Sequence, residues 1–201
     1  FSTGDTSRLW GNNGSGGVSA ATFSPNGQQV CFASGEKLYV CDNDGGRLAP
    51  VSMGGTCKPD GEICWTTNGI FWIQAGHVMR YDLTTGILTE LHYFPDLIAS
   101  TTKGYWCSRD GRRAWVWAEL DAGPPEDTHG DQAFLEFNAD FSTTTVTLGH
   151  LWGHGNYMTF DGEYMLFDRW NIQPDHQKIV LVPFGTDSMA DTVWANFGND
   201  S

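Results

Sequence analysis

The sequence has few charged residues and very few basic ones. Only 17% of its 201 residues are charged, and 11 lysines and arginines stand against 24 aspartates and glutamates, for a formal net charge of −13. Nucleic acids and anionic membranes are usually bound through a basic face, so neither is expected as a partner. The low content of charged residues also argues against a helical bundle.

Long apolar segments and familiar catalytic motifs are missing too. No apolar run exceeds about six residues, whereas a membrane helix needs about 20. The sequence contains no Gly-x-Ser-x-Gly, no Gly-x-x-x-x-Gly-Lys-Ser/Thr and no His-Glu-x-x-His, so no catalytic residue is assigned. The chain begins at Phe1 with neither a Met nor a signal segment, and we expect it to be processed or cut from something larger.

What the sequence has in abundance is glycine and tryptophan. It contains 25 Gly and 9 Trp, and 40% of its residues are hydrophobic. The hydrophobic fraction is enough for a buried core. The high content of glycine and tryptophan suits an all-β protein with many tight turns. Five tryptophans fall on apolar, strand-like runs and are predicted to be core residues: Trp65, Trp72, Trp106, Trp115 and Trp117.

A four-residue pattern, Ser/Thr-x-Asp/Asn-Gly, organises the chain. It occupies 24–27, 66–69, 108–111 and 159–162, so its copies start 42, 42 and 51 residues apart. Asp and Asn side chains accept hydrogen bonds within tight turns, and Gly adopts the positive φ that other residues resist. An apolar run precedes each copy, a second follows it, and a third and a weaker fourth complete the repeat. The fourth runs lie at 47–51, 87–91, 144–148 and 192–197.

Four short strands per repeat of this length predict a blade of a β-propeller. A sandwich with regular turns is the alternative, but it gives no reason for equal intervals. We therefore predict an all-β fold, a β-propeller of four-stranded antiparallel blades at about 17–54, 55–96, 97–149 and 150–201, with 1–16 as a leader or edge strand. The four visible blades either close a small ring or belong to a larger one. Bare edges are normally covered, so other subunits or further chain segments are expected partners.

Parts of the sequence resemble known propeller families. The segments 24–32 and 38–42 resemble repeats of TolB-like and WD40-like propellers, while 2–9 and 153–156 are similar to segments of oligogalacturonate-lyase-type propellers. The latter resemblance implies a ring of about seven blades and a divalent metal held by clustered histidines. Only His154 matches that cluster approximately, and the paired His expected immediately before the turn is absent.

The candidate binding surface lies where the longest connections meet. The insertions 118–132 and 169–177 join the second and third strands of blades three and four, and 148–156 connects these two blades. Blade topology places all three on one side, here named the long-loop face; the four Ser/Thr-x-Asp/Asn-Gly turns lie on the opposite turn face. Binding residues often lie on loops over a rigid scaffold. The candidates are Glu126, Asp127, His129, His150, Trp152, His154, Asn156, Trp170, Asn171, Asp175 and His176.

Trp beside Asp, Asn and His suits sugars, since the ring stacks on the apolar sugar face and polar groups bind hydroxyls. Packing between blades is the alternative for Trp152 and Trp170, and ordinary loop polarity is the alternative for His150 and His154. The sequence thus predicts a non-catalytic recognition or scaffold module, without cofactor or metal, that binds a glycan or a protein partner in an extracellular or virion assembly. A metal-assisted polysaccharide lyase fragment and a purely structural subunit are the other hypotheses.

The five cysteines are predicted to be free thiols, because most have the apolar neighbours of buried cysteines. Cys57 and Cys64 flank a loop short enough to be closed by a disulfide, and this is the one pairing worth testing. Cys31 and Cys41 lie on neighbouring predicted strands and could pair only if they were in register.

Overall fold

The computed structural model describes residues 17–95, 102–118, 131–150, 154–169, 178–186 and 193–195. In these ranges it contains sixteen strands in four separate sheets. Blades one and two consist of β1 (Val18–Phe23), β2 (Gln29–Ser34), β3 (Lys37–Asp42), β4 (Ala49–Pro50), β5 (Ile63–Thr66), β6 (Gly69–Gln74), β7 (His77–Tyr81) and β8 (Leu88–Tyr93). Blades three and four consist of β9 (Thr102–Cys107), β10 (Arg113–Ala118), β11 (Asp131–Phe137), β12 (Thr144–His150), β13 (His154–Met158), β14 (Tyr164–Arg169), β15 (Lys178–Pro183) and β16 (Val193–Ala195).

Each sheet is an antiparallel meander in which strand order follows sequence order. The predicted all-β fold with four-stranded blades is therefore confirmed. The described ranges contain no helix long and apolar enough to cross a bilayer.

The Ser/Thr-x-Asp/Asn-Gly turn has the same hydrogen bonds in blades one, three and four. In blade three the Ser108 hydroxyl donates to Asp110 Oδ1 at 2.7 Å, and the Arg112 N–H donates to the same oxygen at 3.0 Å. The Arg113 N–H donates back to Ser108 Oγ at 3.0 Å. Gly111 closes the turn with a φ of 71°, which is readily accessible only to glycine.

The second copy of the motif departs from this geometry. Because β5 ends at Thr66 and β6 begins at Gly69, which pair directly, only two residues form its turn. The side-chain amide of Asn68 points away from its own turn, and its Nδ2 donates to the Asp110 carbonyl of blade three at 2.7 Å. The shared sequence pattern predicts a hairpin in all four blades, but not this difference in its length.

The blades stack through their first strands. Contacts run from β1 to β5, from β5 to β9 and from β9 to β13, so these four strands line the inner side of the array. Aromatic and aliphatic side chains fill the spaces between neighbouring blades. One cluster, with Leu38 and Trp72, joins blades one and two; a second, with Phe71 and Leu135, joins blades two and three; a third joins blades three and four. Among the described residues, β13 does not pack on β1 in the same way, so ring closure is not observed.

The tryptophans predicted to lie in the core do contribute to these clusters. Trp72 and Trp115 are fully buried, Trp106 is 8% exposed, and Trp65 and Trp117 are half-buried against the clusters. Trp106 and Trp115 stack with their ring centroids 4.6 Å apart. Aromatic burial of this kind contributes a large part of the stabilising energy of a small domain.

All five cysteines are free thiols. Cys57 belongs to the cluster between blades one and two, whereas Cys64 packs into the cluster between blades two and three, so the sequence-based Cys57–Cys64 pairing is not formed. Cys31 and Cys41 are also out of register, since Cys31 pairs with Val40, and they lie in different clusters. Burial raises the pKa of Cys57 to about 12, which makes it a poor nucleophile at neutral pH.

Candidate functional site

The structure locates three of the eleven residues predicted for the long-loop face. Eight of the eleven lie outside the described residues: Glu126, Asp127, His129, Trp152, Trp170, Asn171, Asp175 and His176. The predicted loop 148–156 is wrong in its limits, because β12 continues to His150 and β13 begins at His154. Hydrogen bonding to β11 and β14 extends the two strands through His and Gly residues that carry no apolar pattern.

His150, His154 and Asn156 therefore belong to two different sheets. His150 is the last residue of the outer strand of blade three and lies opposite Asp131. His154 opens the inner strand of blade four opposite Asp168, and Asn156 lies where the register of that pair shifts. His150 and His154 are four residues apart in sequence, but one lies on an outer strand and the other on an inner strand. The two histidines therefore do not share a loop.

A groove lies between blades three and four in the described part of the chain. It lies on the turn face and has a volume of about 320 Å³. Its walls come from the start of β10, the end of β11, the turn before β14 and the turn after β15. The lining residues are Arg113, Phe134, Glu136, Thr147, Glu163, Pro183, Phe184 and Gly185.

Arg113 is the central polar residue of this groove. Its Nη1 lies 2.6 Å from Glu163 Oε1, and its Nε lies 3.2 Å from Glu136 Oε1. The same Nη1 donates to the Gly162 carbonyl at 3.3 Å. Partial burial alone would lower the pKa of Arg113, but hydrogen bonds and charge interactions with Glu163 and Glu136 outweigh it, and the net shift is upward. Arg113 is therefore a permanent cation that links blade three to blade four.

The two carboxylates remain open to solvent although each is paired with Arg113. The Glu136 side chain is 54% exposed and that of Glu163 is 58% exposed, against 32% for Arg113. One cation is thus shared between two acidic groups, so the rim of the groove carries a net negative charge. Exposed carboxylates can take a further cationic partner without the large cost of burying a charge.

Phe134, Pro183 and Phe184 form the apolar part of the groove lining. Phe134 is almost fully buried, and its ring meets that of Phe184 edge-on at 5.4 Å. The Arg113 guanidinium lies 5.4 Å from the centre of the Phe184 ring, within cation–π range. A fixed aromatic wall beside an acidic rim is suited to a long side chain with an apolar stem and a charged end.

The groove residues were not predicted from the sequence, because they lie at strand ends of two blades that are far apart along the chain. A signal was present: Arg113 stands two residues after the turn glycine Gly111, and Glu163 stands directly after Gly162. Residues that flank such turns lie at the ends of strands, where neighbouring blades meet. Among the residues described, no group of three or more His, Cys, Asp or Glu side chains is placed to hold a metal ion.

Comparison with known proteins identifies the fold. No protein-family model matches the sequence, and no curated protein matches it. Among solved structures, an oligogalacturonate lyase in complex with manganese is 14% identical with a TM-score of 0.55, and the match covers 86% of this chain and 50% of that one. TolB from Acinetobacter baumannii is 15% identical with a TM-score of 0.53, covering 82% and 40%.

The β-propeller domain of Cps50 (Swd1) from Myceliophteria thermophila is also similar, at 15% identity and a TM-score of 0.54, covering 88% of this chain and 59% of that one. The fold is thus that of TolB-like and WD40-like β-propellers, as the repeats predict. Identities this low show the fold alone. The chain spans about half the length of the structures it matches.

Proposed function

We propose that this protein is a non-catalytic recognition module and that the groove between blades three and four binds a basic segment of a protein partner. The observation that carries the proposal is the pairing of one cation with two carboxylates that are each more than half exposed. A Lys or Arg side chain from a partner would lay its apolar stem along Phe184 and bring its charge to Glu136 and Glu163.

Charge over the whole molecule favours the same kind of partner. The net charge of −13 attracts a basic segment at long range and repels an acidic one. Complementary charge mainly accelerates association and selects partners. Binding through this groove should therefore weaken as the salt concentration rises.

A role in an assembly is supported by a similar chain that belongs to a protein complex. One similar chain, 12% identical with a TM-score of 0.55, comes from a structure titled Mitotic Checkpoint Complex. The glycan ligand and the extracellular or virion setting stay predictions, because the aromatic residues on which the glycan hypothesis rests, Trp152 and Trp170, lie outside the described residues.

The test is a peptide-binding measurement with a matched control. Fluorescent peptides rich in Lys and Arg, and matched peptides with Gln at those positions, would be titrated and followed by fluorescence polarisation. We expect the basic peptides to bind, and the double variant Glu136→Gln with Glu163→Gln to lose about twofold to thirtyfold in affinity, because two exposed ion pairs each contribute about 0.2–1 kcal/mol. Glu90→Gln, an equally exposed carboxylate on β8 outside the groove, should bind as the wild type does.

Two results would overturn the proposal. One is equal binding of basic and neutral peptides; the other is an equal loss of affinity with Glu90→Gln. Retention on a glycan array that disappears in Trp152→Ala or Trp170→Ala, with no peptide binding, would assign recognition to the long-loop face instead.

A further inference from the structure

Two free thiols meet at the junction between blades two and three. Cys64 on β5 and Cys107 on β9 both pack against the cluster that joins these blades. Ile63 and Trp65 flank Cys64 and pack toward blade one. Trp106, the neighbour of Cys107, packs toward blade four. Alternation along the two strands therefore turns Cys64 toward blade three and Cys107 toward blade two, so that their side chains enter the same space.

Hydrogen bonds hold the two strands together on both sides of this thiol pair. The Cys64 thiol donates to the Tyr105 carbonyl on β9 at 3.3 Å. Further along, at the x position of the motif, the Thr67 N–H donates to the Arg109 carbonyl at 2.8 Å, and the Arg109 N–H donates to the Phe160 carbonyl of blade four at 2.7 Å. Residues of β5 and β9 come within 8 Å of each other between Cα atoms. The Cα atoms of disulfide-linked residues are usually about 4.4–6.8 Å apart.

The two thiols also interact directly. Partial burial, together with a side-chain hydrogen bond with Cys64, raises the pKa of Cys107. Cys107 is therefore a thiol at neutral pH and not a permanently reactive thiolate. Because its partner is already beside it, the second step of disulfide formation would be intramolecular, which makes it fast once the first step has occurred.

Exposure distinguishes this pair from the other three cysteines. Cys31, Cys41 and Cys57 are at most 1% exposed, and a reagent can reach them only when the packing around them opens. Cys64 and Cys107 lie on inner strands and are partly exposed. Oxidation of the folded protein should therefore select Cys64 and Cys107, since susceptibility to oxidation follows access.

We propose that Cys64 and Cys107 form a redox modification site, at which a low-molecular-weight disulfide such as oxidised glutathione generates a disulfide bond between blades two and three. One protein thiolate attacks the small disulfide, forms a mixed disulfide and releases one glutathione thiolate. The other protein thiolate then attacks the protein sulfur of the mixed disulfide, and the second glutathione thiolate leaves. The protein loses two electrons and two protons, and the small disulfide gains them as two thiols. The bond cross-links two blades and restricts the unfolded chain, so it stabilises the fold.

The test is a disulfide map of the folded protein after oxidation. Reduced protein would be incubated with oxidised and reduced glutathione at a series of ratios, quenched with acid, alkylated and digested without reduction. We expect mass spectrometry to find a peptide cross-linked through Cys64 and Cys107, while Cys31, Cys41 and Cys57 are alkylated. The rate of cross-linking should rise with pH, because the thiolate is the attacking species and the pKa of Cys107 is raised. Cross-linked protein should unfold at a urea concentration about 1 M higher, and dithiothreitol should remove the difference.

Single variants separate the two cysteines. Cys64→Ser and Cys107→Ser should each abolish the cross-link and the shift in urea midpoint, and the remaining thiol should end as a mixed disulfide with glutathione. Cys41→Ala, which removes a buried thiol of blade one, should leave the cross-link intact. Each variant must keep the β-sheet circular dichroism of the wild type. Should a serine variant fail to fold, the alanine variant replaces it, and the disulfide map of the wild type decides by itself.

Three results would overturn the proposal. One is a wild-type protein that keeps five free thiols at every glutathione ratio. The second is glutathione attached to Cys64 or Cys107 that never gives way to a cross-link, and the third is a cross-link between Cys31 and Cys57 in their place. None of the cysteines lines the groove between blades three and four, so the outcome is independent of peptide binding.

Discussion

At the scale of single residues, one side-chain oxygen organises each regular motif turn. Asp110 Oδ1 accepts from a hydroxyl and from a main-chain N–H, and Asp161 Oδ1 and Asn26 Oδ1 do the same in blades four and one. Partial burial alone would raise the pKa of Asp110, but the Ser108 hydroxyl and the Arg112 N–H donate to the carboxylate, and the net shift is downward. The ionised form is therefore the one that holds the turn.

Replacing Asp110 by Ala should lower the free energy of unfolding by about 1–2 kcal/mol, because two hydrogen-bond donors lose their acceptor. Asp110→Asn should lose less, since Asn26 already performs this role in blade one. Because the folded-state pKa is lowered, the contribution of the charge is fully present above the ordinary carboxyl pKa and is lost as the pH falls through the lowered value. Urea unfolding at about pH 7 and about pH 3 measures this; a difference between wild type and Asp110→Asn that stays constant with pH would contradict it.

Residue types alone identified the motif turns, but not the site. Ser, Asp and Gly at fixed spacing have a local physical reason to form a turn, so the sequence predicts them well. Arg113 has no such local signature. Its partner Glu163 lies 50 residues further along the chain, and only the stacking of blades three and four brings the two together.

At the scale of strands and turns, the spacing between neighbouring blades is fixed by glycines as much as by aromatic side chains. Gly111 and Gly162 lie where the motif turn of one blade meets the preceding blade. Gly27 has the same φ of 71° as Gly111 but faces open space. The pair therefore separates the cost of backbone strain from the cost of a steric clash.

Gly27→Ala should lower the free energy of unfolding by about 1 kcal/mol, the cost of a left-handed conformation for an L-residue. Gly111→Ala should cost about 1–3 kcal/mol more, because the added methyl group overlaps Phe71 and Thr66. Chemical denaturation of the two variants side by side would show this. Equal losses would mean that Phe71 moves aside without cost and that the contact does not set the spacing.

The strands were predicted where apolar residues recur and were misplaced where they do not. The apolar run before each motif locates β5 and β9 well. The ends of β12 and β13 contain His, Gly and Asn, and there the hydrogen bonds of neighbouring strands extend the sheet beyond the apolar run. Tertiary context overrides local propensity at such strand ends.

At the scale of the whole molecule, blades two and three each pack against a neighbouring blade on both sides. The cluster between blades two and three contains Phe71, Tyr105, Val116 and Leu135, all at most 2% exposed. The sequence predicts blades from its repeat, but it does not state the rotation from one blade to the next. That rotation depends on how the clusters between blades fill.

Strands that pack against two neighbouring blades should protect their main-chain amides from hydrogen exchange better than strands that pack against one. We expect the amides of β6 and β10 to exchange with deuterium about tenfold more slowly than those of β14, because β6 and β10 each contribute to two clusters between blades, whereas the described side chains of β14 contribute to one. Hydrogen exchange followed by mass spectrometry resolves these peptides. Equal protection of β10 and β14 would show that blade four is as firmly held as blade three.

The hydrogen bonds that link one motif turn to the next have a consequence for how such a protein can change. They use only the N–H and carbonyl of the x position, and Thr67, Arg109 and Phe160 all serve there although their side chains have nothing in common. Substitutions at these positions can therefore alter charge, size and polarity around the rim while the main-chain hydrogen bonds between blades stay intact. A library randomised at these three positions to residues other than proline would diversify a surface of the protein while keeping the main-chain hydrogen bonds between the turns.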